Sequence, residues 1–109
     1  MTSVLVVHGR PADREPLATV LGNAGYAVAE AATGELAIAF ARSQRPDLII
    51  THILMPDMDG YELVNKLRSE QVTADIRVIF YTATYLMEEV RQLAGACGVS
   101  QILVKPLRT

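Results

Sequence analysis

The stretch of sequence that decides the fold is Pro46-Asp47-Leu48-Ile49-Ile50-Thr51-His52-Ile53-Leu54-Met55-Pro56-Asp57-Met58-Asp59-Gly60. Its apolar, β-branched run from Leu48 to His52 is typical of a strand buried on both faces of a parallel sheet. A turn-rich loop follows from Met55 to Gly60. In open α/β sheets, sites form just beyond the carboxyl ends of the strands. His52, at the end of this strand, is therefore the first candidate for a functional residue.

The rest of the chain alternates short apolar runs with helical patterns, which indicates an α/β fold with a parallel sheet. Strands are predicted at Val4–Val7, Tyr26–Ala31, Leu48–His52, Ile76–Tyr81 and Ile102–Val104. Helices are predicted after Gly9-Arg10-Pro11, from Thr33-Gly34-Glu35 to Ser43, from Tyr61 to Ser69 and from Met87 to about Ala96. In the first helix Asp13 is a plausible N-terminal cap, and Pro16 fits only in the first turn. We expect a doubly wound, flavodoxin-like sheet of order 2-1-3-4-5, with the closing helix missing from this chain.

Composition limits the classes of protein to which the chain can belong. Its 109 residues suit a single domain over 1–109, which we expect to be truncated after strand five. A net charge of -2 means that the chain has no excess of positive charge with which to bind nucleic acid or an anionic membrane. No apolar run approaches the roughly 20 residues of a membrane span. Cys97 is the only cysteine, so there is no disulfide framework. A cytoplasmic location is expected.

Chemically useful side chains gather at the predicted strand ends. The carboxyl ends of strands one, three, four and five carry His8-Gly9, His52, Thr82 and Lys105. Because parallel strands end at the same edge of a sheet, these residues should converge on one pocket.

Several motifs occur in a fixed order along the whole chain: Pro46-Asp47, Met55-Pro56, Met58-Asp59-Gly60, Thr82-Ala83 and Lys105-Pro106. In this set the chain resembles the receiver domains (response regulators) of two-component, phosphorelay signal transduction. Two segments of the chain resemble receivers attached to PAS- or GAF-containing sensor histidine kinases. They are Arg10-Pro11-Ala12-Asp13-Arg14-Glu15 and Phe80-Tyr81-Thr82-Ala83-Thr84-Tyr85.

The resemblance implies a degenerate site, that of a pseudo-receiver. The family's phosphoryl-accepting aspartate is replaced by His52, and its metal-binding acidic pair by His8 and Gly9. Neutral imidazole is a poor ligand for Mg²⁺, and glycine offers no ligand. Thr82 and Lys105, the family's phosphoryl-binding hydroxyl and ammonium, remain.

The family's aromatic switch position is Ile102, which has no ring. We therefore expect no catalytic residue, no enzymatic activity, no cofactor and no Mg²⁺ binding. The chain should be a protein-interaction or dimerisation module, the N-terminal part of a longer sensor protein. Its partners would be other proteins or covalently linked sensor or kinase domains, with no nucleic acid and no membrane contact.

Three alternatives remain for the pocket. It could sense a ligand or metal through His8, His52, Thr82 and Lys105, with Asp57 or Asp59 as a further ligand. It could be phosphorylated at His52, or at Asp57 as a substitute acceptor. The simpler interpretation is two neutral, hydrogen-bonded histidines, whose protonation the nearby ammonium would disfavour.

Overall fold

The computed structural model describes residues 2–53, 55–83, 91–92, 95, 99 and 101–105. Its elements are β1 (Ser3–Val7), α1 (Pro11–Asn23), β2 (Ala27–Ala31), α2 (Gly34–Gln44), β3 (Leu48–Thr51), α3 (Gly60–Ser69), β4 (Arg77–Ala83) and β5 (Gln101–Lys105). All neighbouring strands are parallel, and the order β2-β1-β3-β4-β5 confirms the predicted flavodoxin-like sheet. The helix predicted from Met87 lies for the most part outside the described residues, as does anything after β5.

Apolar side chains cover both faces of the sheet. In β1, Val4 and Val6 point to the face that carries α1, whereas Leu5 and Val7 point to the opposite face with α2 and α3. This alternation follows from the two-residue repeat of a strand. Because all four side chains are almost fully buried, the strand is an unbroken apolar run rather than an alternating one.

Helix α2 packs on the sheet through small side chains. Thr33 caps its N-terminus, because its hydroxyl accepts a hydrogen bond from the Leu36 N–H at 3.1 Å. The inward face carries Gly34, Ala37, Ile38 and Ala41, all of them buried. Leu36, in contrast, is 56% exposed.

The start of α1 differs from the prediction in two ways. The N-cap residue is Arg10, not Asp13, and Asp13 lies in the first turn. Pro16 lies inside the helix rather than in its first turn. The physical reason is that Pro11 suits the first helical position, where its missing N–H costs nothing, so the helix begins early.

No helix within the described ranges is long and apolar enough to cross a membrane.

Candidate functional site

The site lies where β1 and β3 end side by side. The strand register pairs Val7 with Thr51, so the next residues along, His8 and His52, are neighbours. Their imidazole rings stack, with centroids 4.0 Å apart and planes inclined by 14°. His8 is only 3% exposed, and His52 is half-buried. The strand ends thus bring together the two histidines that the sequence places at the centre of the pocket.

Hydrogen bonds define the neutral tautomer of His8. Its Nδ1 accepts a hydrogen bond from the Arg10 backbone N–H at 3.1 Å. A nitrogen that accepts carries no proton, so the proton of the neutral ring lies on Nε2. That Nε2 is 3.6 Å from an Asp13 carboxylate oxygen. The His8 carbonyl also accepts a hydrogen bond, from Arg14 Nη1 at 2.9 Å.

His52 is held in the opposite tautomer. Its Nδ1 lies 3.2 Å from the backbone carbonyl oxygen of Tyr81. Because a carbonyl oxygen can only accept, Nδ1 is the donor. The His52 backbone N–H donates to the Val7 carbonyl at 2.9 Å, which continues the β1–β3 ladder by one residue. The His52 ring therefore connects the end of β3 to β4.

Gly9 is covered by the loop that follows β3. A Cβ atom added to Gly9 would lie 3.0 Å from Cδ and 3.3 Å from Cγ of Pro56. An acidic side chain at this position would thus require Pro56 to move by a few tenths of an ångström.

Asp57 and Asp59 both serve as helix caps. The Asp57 carboxylate accepts hydrogen bonds from the Gly34 and Glu35 N–H groups, each at 2.9 Å, at the N-terminus of α2. Asp59 caps α3 by accepting from the Glu62 N–H at 2.8 Å. Each carboxylate therefore satisfies amide groups that a helix start leaves without partners.

The pKa of Asp57 reflects this capping. Desolvation acts to raise it, but hydrogen bonds from the backbone amides of Gly34, Glu35, Asp57 and Met58 outweigh that effect and lower the pKa below its usual value. Both carboxylate oxygens already bind amides of α2, which disfavours Asp57 as a substitute acceptor or metal ligand.

The sequence analysis did not predict that Asp57 and Asp59 cap helices. The spacing of Asp59 and Glu62 before an apolar helix, a capping-box pattern, is the signal that could have found one of them.

The geometry also weighs against a metal centre at the stacked rings. Imidazole lone pairs lie in the ring plane, so those of two nearly parallel rings do not point to one shared position. Across the described ranges, no three His, Cys, Asp or Glu side chains are grouped to hold a metal ion.

The remaining candidate residues lie on β4 and β5. β4 runs to Ala83, two residues beyond the predicted end, so Thr82 lies within the strand and pairs with Val104. Lys105 ends β5 and pairs with Ala83. The side chains of Thr82 and Lys105 lie outside the described part of the structure. Ile102 pairs with Phe80 and packs, partly buried, against the core.

Comparison with known proteins places this architecture in a family. The family model described as "Response regulator receiver domain" matches residues 4–109. The Escherichia coli K12 sensor protein EvgS is 37% identical over 96% of this chain, and the probable transcriptional regulatory protein TcrX of Mycobacterium tuberculosis is 35% identical over 95%. The chain spans 8% and 43% of the lengths of these two relatives, respectively. The Vibrio cholerae chemotaxis response regulator CheY4 superposes with a TM-score of 0.90 at 33% identity, over 99% of this chain and 89% of that one. The chain belongs to the response regulator receiver domain family.

Proposed function

We propose that this receiver domain acts as a regulatory protein-interaction module that is not phosphorylated by the aspartyl route. The single observation that carries the proposal is the imidazole stack of His8 and His52 at the ends of β1 and β3. Transfer of a phosphoryl group to a receiver requires a nucleophilic carboxylate and a hard divalent cation held by carboxylates. The stacked histidines supply neither.

The neighbouring groups support the same conclusion. Gly9 offers no side chain, and Pro56 covers it. The nearby carboxylates, Asp57 and Asp59, are engaged with helix N-termini. We therefore propose that the domain does not bind Mg²⁺ and has no enzymatic activity of its own.

Partners would be other proteins, a second copy of the domain, or sensor and kinase domains of the same chain. EvgS, a sensor protein, and TcrX, a transcriptional regulatory protein, are both longer than the part that matches. A role inside a longer cytoplasmic signalling protein, without contact to nucleic acid or membrane, fits this relationship and the net charge of -2.

Intact-mass spectrometry after incubation with acetyl phosphate and Mg²⁺ tests the proposal. We expect no phosphoryl adduct and no protection by beryllofluoride against thermal unfolding. A receiver domain with an acceptor aspartate, treated in parallel, checks the phosphoryl donor. An adduct mapped to a carboxylate by fragmentation would overturn the proposal. An adduct mapped to His52 would support the alternative of histidine phosphorylation.

A further inference from the structure

We propose that the His8 ring is a pH-sensitive cap of α1, whose protonation releases the Arg10 N–H and loosens the first turn of that helix. The proposal does not depend on the proposed function. Arg10 is the N-cap residue of α1, and its side chain makes no capping hydrogen bond. Its N–H instead donates to the ring of His8, two residues earlier. An imidazole nitrogen thus occupies the acceptor position that the oxygen of an Asn or Asp side chain takes in an Asx turn.

A second contact ties the same turn to His8. The Arg14 guanidinium donates to the His8 carbonyl at 2.9 Å and to Glu30 on the edge strand β2, also at 2.9 Å. The N–H groups of Asp13 and Arg14 both donate to the Arg10 carbonyl, at 3.1 and 3.0 Å. The first turn is therefore tied to the sheet through the ring and the carbonyl of His8 and through Glu30 of β2.

The helix itself does little to reinforce this turn. Pro16 lies in its second turn and has no N–H to donate to the carbonyl four residues earlier. One backbone hydrogen bond between the first turn and the rest of α1 is thus missing. Local opening of such a turn requires less free energy than opening a helix centre, so the contacts at His8 contribute to keeping it closed.

The charges around His8 show what a proton would change. From α1, Asp13 lies 3.6 Å from Nε2, with its side chain 39% exposed. Also from α1, Arg14 is paired with Glu30 of β2. From the end of β3, the ring of His52 covers one face, and a second imidazolium there would be repelled. Asp57 faces α2, and Lys105 ends β5, three strands along from β1.

Protonation at Nδ1 changes both of these contacts. The new N–H would point at the Arg10 N–H, so that hydrogen bond is lost. The attraction to Asp13 in the first turn grows, but at 3.6 Å and with the Asp13 side chain 39% exposed it is screened by solvent, so the loss of the cap is the larger effect. Only the neutral ring can accept a hydrogen bond from the Arg10 N–H, because a protonated imidazole has no free lone pair. The Arg10–His8 contact is therefore present while the ring is neutral, and it is lost when the ring takes up a proton at lower pH.

Amide hydrogen exchange measured by NMR tests the proposal. Protection factors, corrected for the intrinsic exchange rate, are followed for the Asp13 and Arg14 amides from about pH 8 to about pH 5. We expect both to fall about fivefold, the ratio that corresponds to one lost cap interaction. His8→Asn keeps an acceptor for the Arg10 N–H but cannot titrate, so its protection should not change over this range.

His52→Asn is the matched control, because its amide can still donate to the Tyr81 carbonyl. This variant should retain the pH step. A step that persists in His8→Asn, that vanishes only in His52→Asn, or that is absent from the wild-type protein would overturn the proposal. If His8→Asn fails to fold, an NMR pH titration of the wild-type protein still tests the proposal. The His8 ring resonance and the Arg10 amide resonance must then titrate with one midpoint, and separate midpoints would refute the link.

Discussion

Asp57 joins the loop after β3 to the start of α2 through one carboxylate, and its charge should matter for stability. Asp57→Asn keeps a side-chain oxygen but removes the negative charge near the amides of Gly34 and Glu35. We expect the free energy of unfolding at neutral pH to fall by about 1 kcal/mol, the usual size of a cap with a favourable helix-dipole contribution. Urea unfolding followed by circular dichroism measures this loss.

The pH dependence of that loss has a definite sign. The pKa of Asp57 is lowered in the folded protein: desolvation opposes this shift, and backbone hydrogen bonds from Gly34 and Glu35 are the main cause. Its contribution is therefore complete above the unfolded pKa, near about 4, and disappears as the pH falls through the folded value. The difference between wild type and Asp57→Asn should shrink in acid. Asp75→Asn, in the exposed turn before β4, serves as the control and should cost little at either pH.

At the scale of elements, α3 begins against the end of β3, and this contact requires glycine. A Cβ atom on Gly60 would lie 3.0 Å from the His52 carbonyl oxygen and 3.2 Å from Ile53 Cα. Because both are backbone atoms, they cannot rotate away. Gly60→Ala should therefore lower the free energy of unfolding by about 1–3 kcal/mol, as overpacking does.

Gly22, inside α1, provides the matched control for this substitution. A Cβ atom there would meet no heavy atom within 4 Å. Gly22→Ala should raise the free energy of unfolding by roughly 0.5–1 kcal/mol, because alanine loses less backbone entropy in a helix. Thermal unfolding of both variants compares them directly. Equal effects of the two substitutions would contradict a packing role for Gly60.

The sequence predicts the arrangement of elements better than their ends. Unbroken apolar strands that alternate with helices of 3.6-residue period indicate a doubly wound parallel sheet, and in the predicted flavodoxin-like order strands one and three are adjacent, which brings His8 and His52 to the same edge. The structure adds the register that makes the two residues neighbours. The start of α1 was predicted wrongly because Asp13 and Pro11 are both good starting residues, and local preference does not choose between them. The Arg10–His8 contact and the position of Pro56 over Gly9 depend on the path of loops and on side-chain rotamers, for which the sequence carries no periodic signal.

At the scale of the whole molecule, phosphorylation needs groups from several loops at once, so one restored residue should not revive it. His52→Asp supplies a nucleophile, but position 9 still lacks a carboxylate for Mg²⁺ and His8 is a poor ligand. We expect no Mg²⁺-dependent adduct with acetyl phosphate from this variant. The triple variant His8→Asp/Gly9→Asp/His52→Asp should form one, provided that Pro56 moves by the few tenths of an ångström that the side chain at 9 needs. Intact-mass time courses with and without Mg²⁺ compare the two, with His52→Asn as the blank. Rapid, complete phosphorylation of His52→Asp would contradict this prediction, because it would mean that the domain binds Mg²⁺ without an acidic pair at positions 8 and 9.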